Sequence, residues 1–394
     1  MGAPPSDGGS KQVRDDVETV GSEGPTVGDG DQRVKGEIVE QRDDGVQHVI
    51  REETLFAGIR KPIKGREELL PRIAEVRKAC EGRTVGPLTH ILRFDTPVDG
   101  FDSEIGFPVS SKIDKGDVRT HTLRPLHFFS LTHRGAVKTL RETTKRIVEH
   151  MERVGLSSEL EFVEIYHAYD PEDESRNDIE TRVAFLAWPE LYREQLVRVL
   201  GERPAAMIWS GGESITPFTE VDERAAWVGA SLERLKERSD QDQQFDILSR
   251  VALLRPAEDV SKFKEILSAS GGDVQAVLDA QNEDLEQNTP FGGWIDPPWA
   301  DGATLHLSKV AYNRSGYDEA KTHEELRQAY CFCTLVRAAR DPKIDPIFCY
   351  RAAGWARQFW EPILGVEFKH CAITQSILKG DRFCAWDYDL TDIR

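Results

Sequence analysis

The sequence predicts an α+β protein in which a β-α-β-β unit occurs twice in tandem and is followed by a second α+β domain. Three observations lead to this prediction. Alternating apolar residues mark strands, apolar residues at helical spacing mark helices, and the same order of elements occurs in residues 55–109 and again in residues 123–188. Each unit exposes one face of a three-stranded sheet. We therefore expect the two units to pair around a pseudo-twofold axis and to enclose a groove.

The first unit is predicted as a strand (55–59), a helix (69–80) and two strands (88–94 and 103–109), with a turn at 95–100. The second is predicted as a strand (123–131), a helix that ends at Gly155, and two strands (162–169 and 179–188). The glycine after the second helix favours a C-terminal cap.

Composition limits the class of protein. Hydrophobic residues make up 39% of the 394 residues and charged residues 30%, which are ordinary values for a soluble chain of two domains. The net charge of −18 makes binding to nucleic-acid phosphates unfavourable, so we expect no nucleic-acid partner. The sequence contains no apolar segment long enough to cross a bilayer and no secretory leader. We therefore expect a cytoplasmic protein with no membrane partner, and the oligomeric state stays open.

Changes in composition divide the chain into four segments. Residues 1–45 are acidic and rich in Gly, Asp and Ser, which predicts a disordered tail. The tandem units occupy 46–200, and a segment with two prolines and a Gly-Gly pair, 201–220, is predicted as a linker. Residues 221–394 are predicted as a second domain, with helices over 221–253 and 259–287, a loop over 288–301, and then strands and helices to residue 390.

Two glutamates hold equivalent places in the two units. Glu104 and Glu180 each lie on the last strand of a unit, among largely apolar residues. A carboxylate on a buried sheet face is costly unless it is paired, so the repetition favours a binding or acid/base site. The alternative is that strand alternation turns both side chains outward to water.

Three phrases carry a resemblance to a known family: EIGFPV (104–109), THRG (132–135) and EIYHAYDP (164–171). They resemble the GyrI-like, or AraC-type effector-binding, superfamily over about 155 residues. The resemblance implies a concave groove that binds hydrophobic, often cationic molecules. It also implies an acidic residue on the late strand of each repeat and aromatic walls.

Position by position, the resemblance assigns the central pocket carboxylate to Glu180, its aromatic partner to Tyr166 and the first-repeat equivalent to Glu104. Phe129 and Trp188 are the further candidates for the aromatic wall. The sequence departs from the family pattern at Val137, where the family usually has a tyrosine, so ligand identity does not transfer.

Two functions follow from this resemblance. The first is binding of a small hydrophobic or cationic molecule by a sensor or sequesterer that has no DNA-binding domain of its own. The alternative is hydrolysis of a hydrophobic xenobiotic or metabolite, as in the cyclopropanoid hydrolases of this superfamily, with Glu180 as general base beside Tyr166. For this second function, burial against Phe185 and Trp188 is expected to raise the pKa of Glu180 towards the working range.

Five of the six cysteines lie beyond residue 330. Such clustering in a long chain is typical of reduced thiols, core packing or a metal site rather than of a disulfide scaffold. Sulfur ligands suit zinc, and the candidate set is Cys331, Cys333, Cys349 and Cys384. Buried free thiols are the favoured alternative, so no cofactor is assigned.

The C-terminal half carries a second resemblance, in YCFCTLVR (330–337), CYRAAGW (349–355) and ILKGDRFC (377–384). These phrases are similar to the aminothiazoline carboxylate hydrolase and vinyl-reductase-like domains, which implies a ligand-holding α+β fold. Related sequences tend to have a further cysteine pair where this chain has residues 248–252, which weakens both a metal and an enzyme interpretation.

Overall fold

The chain contains both helices and strands, and the mixed α and β content predicted from the sequence is confirmed. The computed structural model describes residues 38–41, 45–93, 101–170, 172–252, 258–287 and 295–391. Most of the predicted tail, the predicted turn at 95–100 and the first part of the predicted loop at 288–301 lie outside this part of the chain. Among the described residues, no helix has both the length and the apolar character that a bilayer crossing requires.

The first half forms one large antiparallel sheet with two helices. Its strands follow the order β1-β2-β7-β9-β8-β4-β5-β3-β6. The elements are β1 (Ile38–Gln41), β2 (Gln47–Arg51), β3 (Thr54–Arg60), α1 (Leu69–Cys80), β4 (Leu88–Arg93), β5 (Asp102–Pro108), β6 (Arg119–Leu123), β7 (Leu126–Arg134), α2 (Leu140–Val154), β8 (Ser158–Ala168) and β9 (Asp178–Phe185).

Several boundaries differ from the sequence expectation. Strand β1 lies inside the segment predicted as a tail, and β6 was not predicted because most of its side chains are polar and exposed. The last strand ends at Phe185 rather than at Trp188, which begins a helix with Pro189 in its first turn. Gly155 caps α2 in the left-handed conformation, as predicted.

The large sheet curls into a half-barrel. Phe56 of β3 and Phe128 of β7 lie in one buried cluster, although four strands separate β3 from β7 in the sheet. We call the face that carries these two residues the inner face. Helices α1 and α2 pack on the opposite, outer face, where they cover residues such as Ile59 and Val183.

The second half is mostly helical and contains a four-stranded antiparallel sheet in the order β10-β11-β13-β12. The segment 201–220, predicted as a linker, contains a helix, and its Ile208 and Phe218 are buried. The elements are α3 (Trp188–Leu200), α4 (Glu202–Trp209), α5 (Val221–Lys236), α6 (Gln241–Ser249), α7 (Glu258–Ala269), α8 (Val274–Gln287), β10 (Trp299–Asp301), β11 (Thr304–Ser308), α9 (Arg314–Glu319), α10 (His323–Tyr330), α11 (Thr334–Ala338), α12 (Tyr350–Leu364), β12 (Cys371–Gln375) and β13 (Ala385–Asp389).

The two halves share a hydrophobic core that extends from the outer face of β7 and β9 to the C-terminal sheet. Polar contacts cross the same boundary. The buried guanidinium of Arg224 in α5 donates a hydrogen bond to the carbonyl oxygen of Val154 at the end of α2, at 3.0 Å. The hydroxyls of Ser157 and Thr334 lie 3.0 Å apart. Residues of the second half therefore pack directly on α2 and the outer face of the sheet.

Candidate functional site

Glu104 and Glu180 lie on the same face of the curled sheet. Glu104 of β5 pairs with Ile91 of β4, and Glu180 of β9 pairs with Ile165 of β8. Directly paired residues of neighbouring strands share a face, and both isoleucines belong to the inner-face cluster. Glu104 is only 2% exposed, and 16% of the Glu180 side chain is exposed. Neither carboxylate is turned outward to bulk water.

The carboxylate of Glu104 is buried without a full set of hydrogen bonds. Arg93 of β4 places its Nη2 3.0 Å from Glu104 Oε2, and His121 Nδ1 lies 3.5 Å from Oε1. The Arg93–Glu104 contact is an ion pair without hydrogen-bond geometry, so among the described residues neither Glu104 Oε2 nor Arg93 Nη1 has a hydrogen-bond partner, although both atoms are buried. A buried polar atom without a partner costs about 1–3 kcal/mol. The site therefore favours any bound group that supplies one acceptor and one donor.

This ion pair belongs to a chain of charges that crosses the inner face. Arg51 Nη1 lies 2.7 Å from Glu161 Oε1, and Arg93 Nε lies 3.8 Å from Glu161 Oε2. Burial lowers the pKa of the Arg51 guanidinium, and the adjacent Glu161 carboxylate opposes that shift. Positive and negative charges thus alternate along Arg51, Glu161, Arg93 and Glu104. These four side chains together carry no formal net charge.

An aromatic ring lies beside Glu104 because two glycines leave room for it. Gly58 and Gly106 are paired across β3 and β5, and a Cβ atom at either would come within 3.0 Å of the ring of Phe56. A Cβ at Gly106 would also lie 2.2 Å from the carbonyl oxygen of Ala57. The ring of Phe56 meets the half-exposed His121 edge to face at 6.1 Å. Phe56, His121, Arg93 and Glu104 therefore form one compact group, which we call the Glu104 site.

Glu180 has a different environment. Its Oε1 accepts hydrogen bonds from Ser130 Oγ at 2.8 Å and from Arg182 Nε at 2.6 Å, and its Oε2 lies 3.2 Å from His167 Nε2. Burial alone would raise the pKa of Glu180, but the hydrogen bonds and the Arg182 charge lower it to about 2. The expectation of a raised pKa was wrong, because these donors stabilise the carboxylate and because Phe185 faces the outer side of the sheet.

Tyr166 does not meet Glu180, because it lies on the outer face. Its hydroxyl donates to Glu164 Oε2 at 2.7 Å, and Arg66 Nη1 donates to that hydroxyl at 3.1 Å. Burial raises the pKa of the Tyr166 hydroxyl well above its ordinary value. The two residues assigned to hydrolysis therefore do not form a catalytic pair in this structure.

Glu164 belongs to a buried network that the sequence analysis missed. His90 Nδ1 lies 3.1 Å from Glu164 Oε2, and His90 Nε2 lies 2.9 Å from Ser103 Oγ. Burial opposes ionisation of Glu164, but hydrogen bonds from His90 and Arg66 hold its pKa well below the ordinary value. Ser103 is 0% exposed, so this serine, histidine and carboxylate series holds β4, β5 and β8 together rather than meeting a substrate.

The two other predicted wall residues, Phe129 and Trp188, lie in the main core. Phe129 stacks on Phe185 at 4.6 Å on the outer face, and Trp188 contacts the guanidinium of Arg351 at 5.1 Å. The aromatic residues on the inner face are instead Phe56 and Phe128. Phe56 is the third residue of β3 and Phe128 is the third residue of β7, but the predicted bounds of these two strands did not align the two positions.

The predicted zinc ligands do not converge as a metal site within the described part of the chain, where no three His, Cys, Asp or Glu side chains are placed to hold a metal ion. All six cysteines are free thiols. The Sγ of Cys349 lies 3.4 Å from Ser376 Oγ.

Comparison with known proteins finds no family model and no curated protein that matches the sequence. Solved structures match part of it. The EcmrR C-terminal domain is 16% identical, with a TM-score of 0.31, over 36% of this chain and 96% of that chain. SAV2435 bound to tetraphenylphosphonium is 14% identical, with a TM-score of 0.27, over 37% of this chain and 96% of that one. A hydrolase from Listeria innocua is 14% identical, with a TM-score of 0.28, over 36% of this chain and 91% of that one.

Proposed function

We propose that the inner face binds a small organic molecule whose polar group contacts Glu104 and Arg93 together. The observation that carries this proposal is the adjacent pair of buried atoms, Glu104 Oε2 and Arg93 Nη1, that have no hydrogen-bond partner among the described residues. Satisfying a buried donor and acceptor is worth more than satisfying exposed ones, because no water competes.

The charges at the site indicate the chemistry of the ligand. Arg93 already neutralises Glu104, and Arg182 already neutralises Glu180. A simple cation would have to compete with these arginines. A carboxamide or a zwitterionic group offers a donor to the carboxylate and an acceptor to the guanidinium at once. Its apolar part would pack against the ring of Phe56, and the half-exposed His121 is the side chain that it would displace on entry.

The duplicated pattern supports the same proposal. Strands β4 and β8 pair at the centre of the sheet, and on either side of them Phe56 and Phe128, like Glu104 and Glu180, occupy matching strands. This pattern supports the proposal that residues 46–200 are a pseudo-twofold, GyrI-like binding domain; the assignment of residues 221–394 to a domain of the aminothiazoline carboxylate hydrolase type stays a prediction from the sequence, and the two halves share one hydrophobic core. We assign the protein a sensor or sequesterer role in the cytoplasm.

Hydrolysis has no supporting observation among the described residues. A carboxylate with a pKa of about 2 is a weak general base at neutral pH. Its expected partner, Tyr166, lies on the other face of the sheet. The binding function is therefore the one that the geometry favours.

Three matched probes test the proposal: 2-naphthamide, 2-naphthylmethylammonium and 2-naphthoate, titrated calorimetrically against the full chain. We expect the neutral amide to bind at least about tenfold more tightly than either ion, because one hydrogen bond to a charged group is worth about 1.5–3 kcal/mol. The double variant Arg93→Met/Glu104→Leu should lose this preference. Arg66→Met, which removes a guanidinium on the outer face, is the control and should retain it. Equal binding of the amide by the double variant and the wild type would overturn the proposal.

A further inference from the structure

Two histidines contact one another on the outer face of the large sheet, where β2 meets β7. His48 Nε2 lies 3.0 Å from His127 Nδ1, and the two rings are stacked with their centroids 5.2 Å apart. His48 is 3% exposed and His127 is half-buried. Two ring nitrogens form a hydrogen bond only when one carries a proton and the other does not. The pair therefore exists only while at least one of the two rings is neutral.

The surroundings of the pair disfavour a positive charge. The ring of Phe185 in β9 lies 5.5 Å from that of His48 and 5.8 Å from that of His127, and Phe129 of β7 lies 6.5 Å from His48. The buried Nδ1 of His48 has no hydrogen-bond partner among the described residues. A protonated ring donates from both nitrogens, so a proton on His48 would leave a buried charge with a donor that lacks an acceptor.

The neighbouring elements bring further titratable groups to this side of the sheet. Helix α2 contributes His150, whose ring lies 4.8 Å from Phe129 and whose Nδ1 lies 2.6 Å from Arg153 Nη2. Strand β1 contributes Glu40, the cross-strand partner of His48 in the backbone register. The guanidinium of Arg153 adds a positive charge on this side, which opposes protonation of the nearby histidines.

The strand that carries His48 also carries a charge of the inner face. Strand β2 has only β7 and the edge strand β1 as neighbours in the sheet. Three residues after His48, Arg51 places its Nη1 2.7 Å from Glu161 Oε1 and its guanidinium 5.1 Å from the centre of the Phe128 ring. Movement of β2 away from β7 would therefore withdraw Arg51 from the chain of charges that ends at Glu104.

We propose that the His48–His127 pair is an acid-sensitive switch: the neutral pair holds β2 on β7, and protonation of both rings releases β2 together with Arg51. Two protonated rings would face one another with N–H groups and like charges, so the hydrogen bond between them is lost. The release of β2 follows from the pair alone. Its consequence for the ligand, weaker binding at the Glu104 site in mild acid, rests on the function proposed above.

The acidities of the two histidines agree with this direction. Burial and the adjacent His127 lower the pKa of His48 from its ordinary value of 6.5 to about 4, and burial also lowers the pKa of His127. A released His48 regains the ordinary value and binds a proton more readily than the packed one. The stability that the neutral pair contributes is therefore present above about pH 6.5 and is lost as the pH falls towards about 4.

Hydrogen–deuterium exchange of the full chain at pH 7.5 and pH 5.0 tests the release of β2. Observed rates are divided by the intrinsic rates at each pH to give protection factors. We expect the protection of residues 47–51 to fall at least about tenfold at pH 5.0, while β8, at the centre of the sheet, keeps its protection. Unchanged protection of residues 47–51 would overturn the proposal, and so would an equal fall in β8, which would mean that the whole sheet opens.

Three variants assign the effect to the pair. His48→Leu/His127→Leu removes both titratable rings, so the protection of residues 47–51 should no longer differ between the two pH values. His127→Gln keeps a hydrogen-bonding partner for His48 with one titratable ring, so the fall should be smaller than in the wild type; this variant decides the matter if the double variant does not fold. His323→Gln, which removes an exposed histidine of α10, is the control and should behave as the wild type does. An undiminished fall in the variants of the pair would overturn the proposal.

Calorimetric titration with 2-naphthamide at the same two pH values tests the connection to the Glu104 site. We expect the affinity of the wild type to fall at least about fivefold more at pH 5.0 than that of His48→Leu/His127→Leu, which keeps His121 and the rest of the site. Equal falls would overturn the connection. Absence of binding at pH 7.5 would overturn the proposed function instead, and the exchange experiment would still decide whether acid releases β2.

Discussion

Glu104 and Glu180 occupy matching strands of the same sheet, yet their environments are opposite. Glu180 is partly exposed and has three donors of its own: Ser130, Arg182 and His167. Glu104 is almost fully buried, and its Oε2 accepts no hydrogen bond from the described residues. The hydrogen bonds of the Glu180 carboxylate are therefore satisfied within the protein, and those of the Glu104 carboxylate are not. This difference supports our proposal that a ligand contacts Glu104, although the family resemblance favoured Glu180.

The largest difference between the two sites should appear when each carboxylate is removed. Glu104→Ala removes the nearer carboxylate partner of the buried Arg93 and leaves only Glu161, at 3.8 Å, so we expect it to lower the free energy of unfolding by about 3–5 kcal/mol, the usual cost of breaking a buried ion pair. Glu180→Ala leaves Arg182 buried, but the Glu180 side chain is partly exposed, so water can replace the lost acceptor, and we expect a loss of about 1–2 kcal/mol. Urea denaturation of the two variants measures both values. Equal losses would show that the two environments do not differ in energy.

The double variant Arg93→Met/Glu104→Leu makes the comparison sharper. Replacing a buried ion pair by apolar residues of similar volume is often neutral or stabilising, so most of the loss seen in Glu104→Ala should be recovered. The same urea experiment measures the recovery. A double variant as unstable as Glu104→Ala would mean that the pair holds the sheet together and is not kept for binding.

The hydrogen bonds to Glu180 should make the free energy of unfolding depend on pH in the acidic range. Its pKa in the folded protein, about 2, is below the ordinary value of 4.5. The ionised group therefore contributes stability above about pH 4.5, and that contribution is lost as the pH falls from about 4.5 to about 2. Unfolding midpoints measured over this range should fall more steeply for the wild type than for Glu180→Gln. Parallel curves would contradict the hydrogen bonding described at Glu180.

A smaller effect is expected at His167. This side chain is partly exposed and is one of three donors to Glu180, so His167→Asn should cost no more than about 0.5 kcal/mol at pH 7. Arg182→Met is the matched comparison, because its guanidinium is buried against the same carboxylate. If His167→Asn cost as much as Arg182→Met, burial of the donor would not decide how strongly it stabilises the Glu180 carboxylate.

Local elements of the fold could be predicted from the sequence, and long-range pairings could not. Helix α1 was predicted at its observed bounds because apolar residues recur at helical spacing. Strand β6 was missed because its exposed polar side chains do not alternate with apolar ones.

Only part of the candidate site could be predicted from the sequence, because the rest depends on long-range strand pairing. Strand alternation and repetition identified Glu104. Arg93 was missed because its approach to Glu104 depends on the register of β4 against β5, and Glu161 was missed because it joins them only through the pairing of β4 with β8. Tyr166 was placed wrongly beside Glu180 because the resemblance supplies positions but not the face of this strand.

The most direct test of the central claim is a methyl NMR titration of the full chain with 2-naphthamide. Ile91 lies on the inner face opposite Glu104, whereas Ile147 lies in α2 on the outer side of the sheet. We predict that the δ1-methyl signal of Ile91 shifts in a saturable way while that of Ile147 does not move. A saturable shift of Ile147 with no change at Ile91 would contradict binding at the Glu104 site.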